Sequence, residues 1–223
     1  SLTNPPPIPL RSRLNGIKID NNGNVLIASE FGLLKWDGKE WSRYVIKDEF
    51  ENYREILKIR NFNNRTYLLA ESLTLKEADT NELGKTVTWI DKHWRDVLLF
   101  ENDSLSLIHH IAPIKYWERA FDFYIDTDGS LWFTTLDKAY GGLCKLKNGE
   151  LTEYDLFNTL GYAQLIIPMN IFGDENYIYI GVDSDKVLDN GKIWYLGLIA
   201  IYKKDGEFVT SIKLERDGDL KSF

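Results

Sequence analysis

Apolar residues along this chain come in short runs closed off by Gly, Asp and Asn. Val25–Ser29, Tyr67–Glu71, Leu131–Thr135 and Ile178–Val182 are each five residues long. They are rich in β-branched, aromatic and aliphatic side chains, which fit a pleated, half-buried surface, so each is predicted to be a strand. Helical periodicity is scarce, and the best helical segment is the short stretch Asp48–Leu57.

The four runs share their surroundings. Each follows a polar turn: "DNNGN" (20–24), "NFNNR" (61–65), "DTDGS" (126–130) and "GDEN" (173–176). Each turn follows another apolar strand: "GIKI", "LKI", "FYI" or "NIF". After each run comes a third strand: "GLLKW" (32–36), "TVTWI" (86–90), "GLCKL" (142–146) or "GLIAIY" (197–202). A second tight turn ("DGKE", "DKH", "NGE", "DGE") leads to a fourth strand: "WSRYV", "WRDVLL", "LTEYDL" or "FVTSIKL". Asp-Gly and Asn-Gly between apolar runs signal hairpins, because primed turns need positive φ. The unit is thus four antiparallel strands, repeated four times. Anchored on Ala28, Ala70, Thr134 and Gly181, the copies lie 42, 64 and 47 residues apart. That is the period of a β-propeller blade, with an insertion in the longest interval. In this alignment Trp36 with Trp89, and Trp41 with Trp94, are equivalent and are expected to fill space between neighbouring sheets.

"IKIDNNGNVLIASEFGLLKWDGKEW" (17–41) and "FYIDTDGSLWFTTLDKAYGGLCKLKNGEL" (123–151) resemble the two-component regulator propeller repeat. That repeat runs apolar-Asp-x-x-Gly-x-apolar-Trp-apolar-x-Thr, then Gly-Leu and an Asp/Asn-Gly turn. The second copy departs from it in lacking Gly-Leu and in carrying Asn61 for the Asp, and the fourth lacks the Trp. The resemblance covers about residues 16–214 and implies an all-β fold, a β-propeller of four recognisable four-stranded antiparallel blades. Closure is expected as a four- or five-bladed ring or by dimerisation. Residues 1–14 form a Pro-rich N-terminal segment whose "IPLRSRL" (8–14) is expected to supply a closing strand, and residues 15–223 form one propeller domain. The resemblance also implies a bacterial sensor-like module in the periplasm or at the cell surface, with the Pro-rich segment as an anchor.

Loop lengths sort the two ends of such blades. The first–second and third–fourth turns are uniformly tight. The second–third connections 72–85 and 183–196, and the inter-blade links 47–56, 100–120 and 157–168, are long. All of these emerge on one face, and loops longer than a fold needs are usually functional. The ligand-binding face is therefore expected there. Tyr116, Trp117, Glu118 and Arg119 precede the first strand of the third unit, and Tyr53 and Arg54 occupy the matching place before the second; Tyr140 and Tyr162 complete the set. Aromatic faces that stack and charged groups that fix orientation suit a glycan, peptide or protein.

Other chemistry is weaker. Asp126, Asp128 and Ser130 suggest a calcium loop, but Gly129 stands fourth where an EF-type loop needs it sixth. The recurrence of this turn in other units makes it a hairpin. Asp183, Asp185, Asp189 and Asn190 read as a solvated acidic loop. His109 and His110 would point to opposite sides of a strand, and His93 is placed in a hairpin turn, so no zinc site is expected. Glu118 with Glu51, Glu55 or Asp122 could supply an acid pair for a carbohydrate-active hydrolase or lyase. A third reading is a protein-docking scaffold or inhibitor. The leading expectation is non-catalytic, with no catalytic residue, metal or cofactor.

Composition narrows the partners. The net charge is −7 over 223 residues. An acidic surface does not displace phosphate counterions, which argues against nucleic acid and against anionic membranes. No apolar run reaches the roughly 18 residues needed to span a bilayer. Cys144 is the only cysteine, which excludes an intrachain disulfide and fits a cytoplasmic setting as well as a periplasmic one.

Overall fold

The computed structural model describes residues 12–45, 55–80, 86–111, 120–135, 142–160, 165–187 and 193–214. The chain divides into two compact units, Ser1–Tyr116 and Trp117–Phe223. Unit 1 holds two four-stranded sheets. The first contains β1 (Leu14–Ile19), β2 (Val25–Ser29), β3 (Gly32–Trp36) and β4 (Trp41–Tyr44). The second contains β5 (Glu55–Phe62), β6 (Arg65–Thr80), β7 (Thr86–Glu101) and β8 (Ser104–Ile111). Unit 2 holds the third sheet, β9 (Ala120–Ile125), β10 (Leu131–Thr135), β11 (Gly142–Lys147) and β12 (Glu150–Asp155). After the short helix α1 (Leu156–Leu160) comes the fourth sheet, β13 (Leu165–Gly173), β14 (Tyr177–Val187), β15 (Ile193–Lys203) and β16 (Phe208–Leu214). In all four the strands pair antiparallel in chain order, the four-blade, all-β architecture expected from the repeats.

The turns form for the reasons their residues suggest. Asp20 Oδ1 accepts the backbone N–H groups of Asn22 and Asn24, and Gly23 takes φ +81°. Between β5 and β6 the two turn residues Asn63 and Asn64 both have positive φ, as do Asn102 and Asp103 between β7 and β8. Asn and Asp tolerate that region, so these are two-residue primed turns. Asp155 Oδ1 accepts the Asn158 N–H at 2.9 Å and caps α1.

A feature the repeats did not announce is a β-bulge in every first strand. Asn15, Leu57, Phe121 and Met169 are the extra residues, opposite Ala28–Ser29, Leu69–Ala70, Thr134–Thr135 and Gly181–Val182. The bulge makes Leu69, rather than Ala70, the equivalent of Ala28, Thr134 and Gly181. Since side chains alternate with period two, this one-residue shift exchanges the faces of the second sheet. We call the Ala28, Leu69, Thr134 and Gly181 side of each sheet its front. In unit 1 the front of the first sheet (Leu26, Ala28, Leu33) packs on the back of the second (Ile56, Ile59, Leu68, Ala70, Leu98, Phe100). In unit 2 the front of the third sheet (Trp132, Leu143) and α1 pack on the back of the fourth (Ile171, Ile178, Ile180, Val182, Leu198, Ala200). The same front-on-back contact is made twice.

The second sheet corrects several expectations. β7 runs unbroken through Asp91–His93, so His93 lies mid-strand opposite Leu73 rather than in a turn. The turn falls at Asn102–Asp103, and the fourth strand is "SLSLIHHI" (104–111), part of the expected link 100–120. "DKH" lacks the Gly or Asn that positive φ favours, whereas Asn102–Asp103 meets that need. Trp89 and Trp94 therefore pair with Lys76 and Ser72 in a long ribbon. The register places Phe100 and Leu105 where Trp36 and Trp41 stand in the first sheet. The long connections 72–85 and 183–196 are largely ladder: β6 with β7 and β14 with β15 stay paired as far as Thr80–Thr86 and Val187–Ile193. Residues 55–57 open β5 instead of ending a helix, and α1 lies in the expected link 157–168. Residues 48–54 and the Pro-rich segment 1–11 lie outside the described residues.

Candidate functional site

The eight residues expected on the binding face (Tyr53, Arg54, Tyr116, Trp117, Glu118, Arg119, Tyr140 and Tyr162) all lie outside the described residues, as do Glu51, Asp189 and Asn190. The remaining candidates are placed. Glu55 takes an ion pair from Arg13 at 2.5 Å and a hydrogen bond from Asn15 Nδ2 at 2.8 Å. Asp122 is fully buried; its Oδ1 accepts the Phe123 N–H at 3.0 Å and its Oδ2 accepts the Ile171 N–H at 3.3 Å. Both carboxylates organise structure within their units.

Asp126 and Asp128 shape their turn, as the hairpin reading expects. Asp126 is buried, accepts the Thr127 N–H and receives Lys204 Nζ at 2.6 Å. Asp128 accepts the Ser130 N–H, and Lys147 Nζ at 2.7 Å holds its carboxyl well below the usual carboxylate range. His109 and His110 alternate along β8: His110 Nδ1 lies 2.7 Å from Asp96 Oδ1, while burial lowers the His109 imidazole.

A cavity among the described residues lies at the tight-turn end of unit 1. It encloses about 490 Å³ between the β1–β2, β5–β6 and β7–β8 turns. Four asparagines line it, Asn21, Asn22, Asn64 and Asn102, with the carboxylates Asp20, Glu101 and Asp103 and the Lys35 ammonium. Thr66 and Phe100 complete the lining, and Phe100, 7% exposed, contributes bulk rather than a ring face. Lys35 and Tyr44 project from the front of the first sheet and converge on Asp103 Oδ1 at 2.5 and 2.8 Å. Hydrogen bonding from Lys35, then from Tyr44, holds the Asp103 carboxyl below its ordinary value; the same bond raises Lys35. Burial, then Asp103, raises the Tyr44 phenol. Glu101 is paired with Arg65 at 3.3 Å, and Asp20 is committed to its own turn.

The lining is polar on most sides. An asparagine amide offers two donors and an acceptor, so four of them around one cavity can satisfy a ligand with mixed donors and acceptors. Each carboxylate has a cationic or N–H partner. Reading these turns as hairpin formers alone overlooked the cavity. The signal is in the doubled Asn/Asp positions 21–22, 63–64 and 102–103, and placing the second-sheet turn at 91–93 hides the last of these.

No protein-family profile and no curated protein matches the chain. Among solved structures it is similar to the extracellular domain of BT4673 of B. thetaiotaomicron, assigned to a hybrid two-component system. That likeness has 16% identity and a TM-score of 0.49, over 87% of this chain and 26% of that one. A second structure of the BT4673 extracellular domain, assigned there to a one-component system, gives 18% identity and a TM-score of 0.46 over 86% and 26%. The extracellular domain of BT3049, from a hybrid two-component system of the same organism, gives 14% identity and a TM-score of 0.25 over 90% and 34%. The chain thus spans about a quarter of the length of the BT4673 domain. No helix among the described residues is long and apolar enough to cross a membrane.

Proposed function

We propose that the chain is a non-catalytic ligand-binding or sensing module, and that the asparagine-rich cavity of unit 1 takes a small neutral glycan. The observation that carries this is the lining: four amides around about 490 Å³, with a fixed ammonium and carboxylates. Sugar hydroxyls both donate and accept, which matches amides better than a lining of one polarity would. Within this cavity, glycoside hydrolysis is disfavoured by the same residues. A general acid needs a raised carboxyl pKa. Asp103 is lowered instead, and Glu101 and Asp20 are engaged by Arg65 and by backbone N–H groups. A periplasmic or cell-surface setting follows from the likeness of the repeats to regulator-propeller repeats.

The test is calorimetric titration of the purified chain with neutral oligosaccharides, after a glycan-array screen to choose them. Asn64→Gly with Asn102→Gly keeps both turns, because glycine accepts positive φ, and removes two amides. Binding weakened at least about tenfold, equivalent to about 1.4 kcal/mol, is expected. No binding to any array glycan, or unchanged affinity in the double variant, overturns the assignment.

A further inference from the structure

The first strand of the first sheet carries apolar residues in the open. Leu14, Ile17 and Ile19 on the back of β1 are 56%, 64% and 65% exposed. Their large apolar equivalents in the other sheets are covered. Ile59, Phe123 and Ile171 stand where Ile17 does and are 4%, 0% and 1% exposed; Ile125, equivalent to Ile19, is 6% exposed. Ile56 and Ala120, equivalent to Leu14, are 0% and 1% exposed.

The front of the fourth sheet shows the converse. Phe172 and Ile212 are 57% and 50% exposed there, beside half-buried Tyr179, Ile199 and Ile201. Phe172 and Tyr179 stack face to face at 4.8 Å. In the first and third sheets the position of Ile199 is held by Leu33 and Leu143, both fully buried. The positions of Ile201 and Ile212 are held there by Lys35 and Tyr44, and by Lys145 and Tyr154, which reach the turn of the following sheet. The fourth sheet has isoleucine at both, so its front is adapted to an apolar contact that makes no such polar tie. The β3–β4 turn of the first sheet is suited to that contact, since Asp37 Oδ1 is taken by the N–H groups of Lys39 and Glu40.

Leu34 on the same back face of the first sheet is 0% exposed, so the open part of that face is its β1 strip. An exposed apolar strip of this kind marks an interaction surface. These two are the missing halves of the front-on-back contact that each unit already makes internally. We infer that two copies of this chain associate head to tail, the front of the fourth sheet of one copy covering the back of the first sheet of the other. The two patches differ, and each copy carries one of each kind, so two copies related by a twofold axis make the contact twice and leave neither patch open. This inference is independent of the cavity and its ligand.

Light scattering on the purified chain tests it. The expected mass is twice 25.9 kDa. Ile17→Asp and Phe172→Asp place a carboxylate at an exposed site on each patch, and each is expected to leave the circular dichroism unchanged and to yield single chains. Mixing the two variants is the decisive arm. One intact contact is available only in the mixture, so association must return there. Single chains in the unsubstituted protein, or association that persists in both variants, overturns the inference. A mixture that stays dissociated overturns the head-to-tail arrangement.

Discussion

The Tyr44 hydroxyl donates a 2.8 Å hydrogen bond to the Asp103 carboxylate, joining the outer strand of the first sheet to the β7–β8 turn of the second. Lys35 Nζ shares the same oxygen. Unit 2 repeats the device with its own equivalents: Lys145 Nζ donates to the Lys204 carbonyl at 2.6 Å, and the Tyr154 hydroxyl to the Asp205 carbonyl at 3.4 Å. A lysine on the third strand and a tyrosine on the fourth thus grip the last turn of the next sheet in both units. In unit 1 that grip also forms one wall of the polar cavity.

The grip gives a pH signature. Asp103 is lowered from 3.8 and Lys35 raised from 10.5. For the acid, the stabilisation is present above the unfolded value and is lost as pH falls through the lower folded one. For the lysine it is present below the unfolded value and lost as pH rises through the higher folded one. The pair should therefore contribute fully between about pH 4 and 10. Asp103 is half-exposed and screened, so Asp103→Asn should cost no more than about 1 kcal/mol at pH 7. Urea unfolding between pH 3 and 7 should show a shallower acid limb in the variant. Parallel limbs would remove the pair from the acid dependence.

Gly206 offers a sharper steric test. Its φ is +95°, and a Cβ there would lie 1.9 Å from Tyr154 Cε1. Gly23 has φ +81° with nothing within 4 Å of such a Cβ. Gly23→Ala should therefore cost only the backbone strain, about 1–2 kcal/mol, whereas Gly206→Ala adds the overlap with Tyr154 and should cost about 3 kcal/mol or more. Thermal melts of the two variants compare these directly. Equal losses would show that the Tyr154 contact relaxes without cost.

Most of the fold was legible because turns and alternation are local. Gly23, Gly129 and Gly206 sit in turns at positive φ, and the strands Val25–Ser29, Leu131–Thr135 and Phe208–Leu214 fall as the pattern predicts. The second sheet differs from the pattern because Asp91–His93 resembles a turn in polarity but lacks its backbone chemistry, and pairing with β6 carries β7 on past a register shift at Asp91. The bulges at Asn15, Leu57, Phe121 and Met169 were invisible because strand pairing, not composition, places an extra residue. The cavity escaped for a related reason. Its lining comes from three turns far apart in sequence, each with a sufficient local role.

The buried ion pair in unit 1 should behave asymmetrically. Arg95 and Glu71 face one another across β6 and β7, with Nε and Nη2 at 3.0 and 2.7 Å from Oε1. Their side chains are 7% and 10% exposed. Arg95→Met alone takes the guanidinium away from the buried Glu71 carboxylate and should cost about 3–5 kcal/mol. Glu71→Leu with Arg95→Met removes both charges and should recover most of that loss. Denaturant midpoints of the single and double variants make the comparison, and a double variant no more stable than the single would contradict it.

Asp122 is the last case, and its chemistry decides between two substitutions. It lies beside the Phe121 bulge, fully buried, with one oxygen on the Phe123 N–H and the other on the Ile171 N–H of β13. Both of these backbone groups are donors. Asp122→Ala leaves a buried N–H unsatisfied and should cost about 1–3 kcal/mol. Asp122→Asn preserves shape but not polarity, since one side of the amide is itself a donor and must face an N–H. Isosteric replacement should therefore be nearly as damaging as truncation. Chemical denaturation of both variants measures this. An asparagine variant within about 0.5 kcal/mol of the unsubstituted protein, the range of ordinary surface changes, would show that a carboxylate oxygen is not needed at both N–H groups.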